Sequence, residues 1–160
     1  MTQSPFSIQL TSPDQTARLA ARVGAQLVPG DCILLNGPVG AGKTHFARHL
    51  IQSLMTPPED VPSPTFTLVQ TYDTRVGEVW HADLYRITSP HDLEELGLVD
   101  AFDQAICLIE WPENLGILAP KQALNLTLSP DSDDDDTRLA VFEWTADRWS
   151  SLLDHVTNDA

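Results

Sequence analysis

Residues 31–55 read DCILLNGPVGAGKTHFARHLIQSLM, three kinds of sequence in one run. DCILLN (31–36) is nearly continuous apolar chain, the pattern of a strand buried on both faces of a parallel sheet. GPVGAGKT (37–44) meets G-x-x-x-x-G-K-[ST] at every fixed position. From about 42 to 55 the apolar residues Phe46, Ala47, Leu50, Ile51 and Leu54 recur with helical period, and Pro57-Pro58 closes the helix. Glycines between a strand and a helix let the backbone curl, so that successive N–H groups point at phosphate oxygens beside the positive end of the helix dipole. The loop from Gly37, Gly40, Ala41 and Gly42 into Lys43, Thr44 and His45 is therefore a candidate nucleotide site. Lys43 is expected to reach the β- and γ-phosphates and to take part in catalysis, and the Thr44 hydroxyl to ligate Mg²⁺.

N-terminal to this run, FSIQL (6–10) reads as a short strand and residues 13 to about 27 as a helix. The helix buries Ala20, Val23, Gly24 and Leu27 and begins at a Ser12-Pro13 cap. On the C-terminal side, TFTLVQTYD (65–73) and GEVWHADLY (77–85) are strand-like and only three residues apart, which is hairpin spacing. A helix over 90–96 with another Ser-Pro start follows, then a looser segment to Asp103. AICLIEW (105–111) is a second buried strand, followed after Pro112 by a short helical turn. ALNLTLS (123–129) and TRLAVFEW (137–144) form a second hairpin around an acidic loop (130–136), and 147–156 is a terminal amphipathic helix. With no repeats and no linker, the expected architecture is one domain over 1–160: a P-loop NTPase-like three-layer α/β sandwich, its central strands parallel and antiparallel hairpins added.

Charge narrows the function. A formal net charge of −14 repels a phosphate backbone, which argues against unaided binding of nucleic acid. Asp131 and Asp133–Asp136 read as a solvated hairpin loop. Cys32 and Cys107 sit in apolar strands and read as buried thiols. His45 and His49, one turn apart, lack a third metal ligand. No apolar run is long enough for a membrane span, and the N-terminus carries no export signal, so a cytoplasmic protein is expected.

A triphosphate site needs a second carboxylate for the metal and a group that orients the attacking water. Asp83 in VWHADLYR and Glu110 in AICLIEWPE each end a strand, at the edge where α/β sheets bind ligands. Alone, each also reads as a solvated strand-end carboxylate, a reading that weakens beside the glycine-rich loop because each ends a strand that could neighbour it. His81 shares a strand face with Asp83 and reads either as a group orienting that carboxylate or as a core histidine. In PSPTF (62–66), two prolines stiffen a loop that carries Thr65 at its tip.

The ordered set SPTF (63–66), HADLYR (81–86), LEELG (93–97) and IEWPE (109–113), together with the glycine-rich loop, resembles the TsaE, or YjeE-like, family over almost the whole chain. That resemblance implies an ATPase of bacterial tRNA threonylcarbamoyladenosine synthesis, working with TsaB and TsaD and meeting tRNA only through those partners. It implies ATP and Mg²⁺ as cofactors, and Thr65 in a switch loop sensing the γ-phosphate. Asp83 would help hold the metal, and Glu110 would be the Walker-B-type residue that serves both metal and hydrolysis. The chain departs from the family pattern at His45, where a second hydroxyl is common, at Ala82, where a bulky aromatic is common, and in the aspartate tract. Two other readings compete. A small-molecule or nucleoside kinase would need more arginine than the seven here supply around the transferred group. A nucleotide-gated adaptor without turnover would have no use for Glu110.

Overall fold

The computed structural model describes residues 2–65, 67–131 and 133–158. Seven strands form one sheet in the order β1-β7-β6-β2-β5-β4-β3. In chain order they are β1 (Phe6–Leu10), β2 (Cys32–Asn36), β3 (Val69–Thr74), β4 (Gly77–Asp83), β5 (Ile106–Glu110), β6 (Leu124–Pro130) and β7 (Arg138–Glu143). The centre is parallel: β2 pairs with β5 and β6, and β5 with β4. The hairpins β3–β4 and β6–β7 extend it antiparallel, and β1 adds to the β7 edge.

Central strands in such a sheet are covered on both faces, which is why CILL and ICLI are apolar at every position. Ile33, Leu35, Ile106 and Leu108 face one core with α1 (Pro13–Gly24), α2 (Lys43–Ser53) and α5 (Asp147–Asn158). Cys32, Leu34, Cys107 and Ile109 face the other, with Leu93 of α3 (Pro90–Glu95) and Leu98 and Ala101 of α4 (Leu98–Gln104). The layers are therefore helix, sheet, helix. Both cysteines are buried free thiols, and burial raises the pKa of each.

Helix starts follow the sequence signals. Ser12 Oγ accepts the Gln15 amide at 3.2 Å and Ser89 Oγ the Asp92 amide at 3.4 Å, each ahead of a proline at the first helical position.

Three expectations change. The segment after 96 is not loose but forms α4: Gly97, at φ 76, follows α3 and starts a helix whose Leu98 and Ala101 are buried, with the extended, buried Ala105 closing it. The strand expected from 65 begins only at Val69, because Leu68 lies in the left-handed region at φ 68 and its amide bonds back to Pro64 O at 2.7 Å. Phe66, in that same expected strand, lies outside the described residues. The β3–β4 loop is Arg75-Val76, since Thr74 already pairs with Gly77. Among the described residues, no helix is long and apolar enough to cross a membrane.

Candidate active site

Parallel pairing brings the C-terminal ends of three strands together. Leu35 of β2 is in register with Glu110 of β5, and Glu110 with Asp83 of β4. The glycine-rich loop leaves β2 at this edge, so loop and carboxylates share one cleft of about 470 Å³. Its lining includes Gly40, Gly42, Lys43, Thr44, His45, Thr65, Asp83 and Glu110, all anticipated from sequence.

Two loop glycines have geometric reasons. Gly42 precedes α2 at φ 104, in the left-handed region. Gly37 has φ 139, and a Cβ there would stand 2.3 Å from Leu128 O, so the loop can cross the end of β6 only without a side chain. Gly37 and Ala41 are expected contacts that do not line the cleft. Gly37 is packed against Leu128 O of β6, and Ala41 is fully buried.

Lys43 is 5% exposed. Its ammonium donates to Gly37 O at 2.7 Å and sits 3.4 Å from the Trp111 ring centroid, so both partners are neutral. Burial lowers the Lys43 pKa, and the negative charges of Glu110, Glu113 and Asp83 oppose the shift. Trp111 holds this position from a left-handed backbone at φ 57, ψ 53, with the Tyr85 ring 5.0 Å away.

Glu110 is 2% exposed. Thr44 Oγ1 donates to its two oxygens at 2.8 and 3.0 Å, and His81 Nε2 lies 2.7 Å from Oε2. A carboxylate only accepts, so Nε2 carries the proton, while His81 Nδ1 is buried without a hydrogen-bond partner among the described residues. His81 thus orients a carboxylate, though that of Glu110 rather than of Asp83. Asp83 receives the Tyr85 amide on Oδ1 at 3.0 Å and the Thr65 hydroxyl on Oδ2 at 3.3 Å. The Thr65 loop is further tied by Ser63 Oγ at 2.7 Å and by Arg86, which donates to Thr65 O at 2.9 Å.

Val39, Tyr85 and Trp111 complete the lining; sequence singles out neither Val39 nor Tyr85, whereas Trp111, which follows Glu110 in IEWPE, reads there as either contact or core. Trp111 and Tyr85 directly follow, or nearly follow, the two carboxylates, and that adjacency was the available signal. His49 stacks near His45 at 4.4 Å between ring centroids, while His45 Nε2 approaches Pro13 O at 3.0 Å. Among the described residues, no group of three or more His, Cys, Asp and Glu converges to hold a metal.

The sequence model of the family described as "Threonylcarbamoyl adenosine biosynthesis protein TsaE" matches residues 10–140. The chain is 40% identical over 130 residues to the Rickettsia bellii "tRNA threonylcarbamoyladenosine biosynthesis protein TsaE", covering 81% of this chain and 89% of that one. To the Bacillus subtilis protein of the same name it is 31% identical over 147 residues, covering 91% and 90%. In structure it is similar to a crystal structure of YdiB from Bacillus subtilis, with TM-score 0.79 over 99% of this chain and 98% of that one. At 24% identity this is a likeness of fold. A match across 10–140, spanning the loop, Thr65 and both carboxylates, shows that the chain belongs to the TsaE family.

Proposed function

We propose that this chain is a P-loop ATPase: a magnesium-dependent, ATP-binding and ATP-hydrolysing subunit that supports threonylcarbamoylation of tRNA adenosine. It acts with TsaB-like and TsaD-like partners, in the cytoplasm, and meets tRNA through them. The observation that carries this reading is the convergence of Lys43, Thr44, Asp83 and Glu110 on one cleft behind a glycine-rich loop. The pathway comes from the family and from the names of the relatives.

The donor set suits Mg²⁺. A hydroxyl (Thr44) and two nearly buried carboxylates (Asp83, Glu110) are hard oxygen ligands, and Mg²⁺ characteristically takes one or two carboxylates plus substrate phosphate oxygens. When bound, Mg²⁺ neutralises charge on the β- and γ-phosphates. Gly40, Gly42, Lys43, Thr44 and His45 would hold the phosphates, Lys43 exchanging its carbonyl and ring partners for phosphate oxygen. Glu110, kept in place by His81, would orient the attacking water and accept its proton. Thr65, on a stiff loop beside Asp83, would report the γ-phosphate through the order–disorder logic of nucleotide switches.

Phosphate release from Mg-ATP, measured alone and then with TsaB-like and TsaD-like partners plus tRNA, tests the proposal. Release without a phosphoryl acceptor supports an ATPase. Transfer only to an added acceptor would make it a kinase, and binding without release an adaptor.

A further inference from the structure

Arg138 opens β7, far in sequence from the glycine-rich loop, yet its guanidinium lies against that loop. Nε donates to Ala41 O at 3.1 Å and Nη2 to Gly40 O at 3.4 Å. Nη1 donates to Thr137 O at 3.0 Å and to Asp135 O. All four acceptors are backbone carbonyls, two on the glycine-rich loop and two on the acidic β6–β7 hairpin loop. Among the described residues Arg138 forms no ion pair, although carboxylates crowd that loop.

Two of the aspartates build the turn with their side chains. Asp131 Oδ1 accepts the Asp133 amide at 2.9 Å. Asp134 accepts the Asp136 amide and the Thr137 hydroxyl, each at 2.9 Å, and these bonds lower its pKa. A turn held in this way presents the Asp135 and Thr137 carbonyls to one cation. Ser132 lies outside the described residues.

In a trans peptide, a carbonyl and the following N–H point in opposite directions. Holding Gly40 O and Ala41 O toward Arg138 therefore turns the N–H groups of Ala41 and Gly42 away from it. The Ala41 N–H is used within the loop, on Pro38 O at 3.1 Å. The Gly42 N–H makes no hydrogen bond among the described residues. Gly42 lines the 470 Å³ cleft and also a cavity of about 150 Å³ bounded by Asp135, Asp136 and Arg138, so the loop is the wall between the two.

We propose that Arg138 is a positioning residue for phosphate binding: from behind the glycine-rich loop it fixes two peptide planes so that the Gly42 N–H is presented to the phosphates. The aspartate turn serves as its abutment. This rests on the reading of residues 37–44 as a phosphate cradle.

The test compares wild type, Arg138→Ala and Arg138→Lys for Mg-ATP and Mg-ADP affinity by calorimetry, for kcat and KM, and for the Gly42 amide resonance. A hydrogen bond to a charged group contributes enough that its loss should weaken both nucleotides about 10- to 100-fold in Arg138→Ala. KM should rise while kcat at saturation stays within about threefold, because Arg138 does not touch the reacting atoms. The Gly42 amide should shift, and Arg138→Lys, able to reach one carbonyl at a time, should recover part of the affinity. A folded Arg138→Ala with affinity within twofold of wild type overturns the proposal. So does lost affinity with an unmoved Gly42 amide and no recovery by lysine. If the alanine variant does not fold, the same readouts on Arg138→Lys decide. A wild type that fails to bind Mg-ATP overturns the cradle reading and this inference with it, whereas normal wild-type binding with unaffected variants overturns this inference alone.

Discussion

Glu110→Gln should separate binding from turnover. The carboxylate it replaces accepts from Thr44 Oγ1 and His81 Nε2 at the end of a strand buried along its length. Glutamine can keep both contacts, its carbonyl facing the His81 N–H and its amide facing the Thr44 oxygen, whose hydroxyl is free to turn. Hydrogen bonds to a charged group contribute about 1.5–3 kcal/mol and neutral ones about 0.5–1.5, so two such exchanges cost about 2 kcal/mol. Against this, the variant no longer buries a charge, whose desolvation costs several kcal/mol. The net change in stability should stay within about 2 kcal/mol, a melting shift below about 8 °C for a chain of this size. The loss of a general base is larger, typically about 10²–10⁴-fold in rate, or roughly 3–5 kcal/mol. Calorimetry should still find Mg-ATP bound, because Lys43, Thr44 and Asp83 remain in the cleft, with any loss of affinity far smaller than the loss of turnover. Phosphate release in the complex with partners and tRNA should fall at least 100-fold, and multiple-turnover tRNA modification should fall with it. Wild-type hydrolysis by the folded variant would refute the role of Glu110 and favour an adaptor. A melting loss far above 8 °C would mean that the carboxylate is chiefly structural.

Thr65→Ala should leave ADP affinity nearly unchanged while weakening the discrimination between ATP and ADP, because a switch acts only through contacts that differ between two states. Equal losses for both nucleotides, measured by calorimetry, would make Thr65 an ordinary contact. The isolated chain should bind tRNA weakly at physiological salt, since it has a net charge of −14 and only two lysines. Submicromolar affinity in an anisotropy titration would contradict the electrostatic argument.

The centre of the fold was legible because two physical signals coincide there. Strands buried on both faces must be apolar throughout, and a loop curled around phosphates must have glycine at fixed places; 31–55 shows both. The strand-end carboxylates were legible for a related reason, since a charge closing an apolar strand stands out. What sequence left open depends on single backbone angles and on contacts between distant residues. Leu68 at φ 68 shortens a strand that its β-branched and aromatic neighbours favour, and nothing about a leucine announces a left-handed backbone. Gly97 follows the helix expected over 90–96, yet it starts a second helix, which shows in sequence only in the spacing of Leu98 and Ala101. His81 reaches Glu110 across 29 residues and Arg138 reaches Ala41 across 97, and neither pairing follows from spacing without the sheet order.

The central claim is that residues 37–44 bind the phosphates of Mg-ATP through Lys43, and calorimetric titration of wild type and Lys43→Ala tests it most directly. Burial lowers the Lys43 pKa, so the fold bears a cost for holding this ammonium charged below its ordinary value of 10.5. Removing the ammonium relieves that cost while leaving Gly37 O without its donor, so the variant should remain folded. Losing a charge-assisted phosphate contact contributes about 1.5–3 kcal/mol or more. Wild type should therefore bind Mg-ATP saturably at one site, and Lys43→Ala should bind at least about tenfold more weakly. Equal affinity in the two folded proteins, or no binding by wild type, would contradict the account.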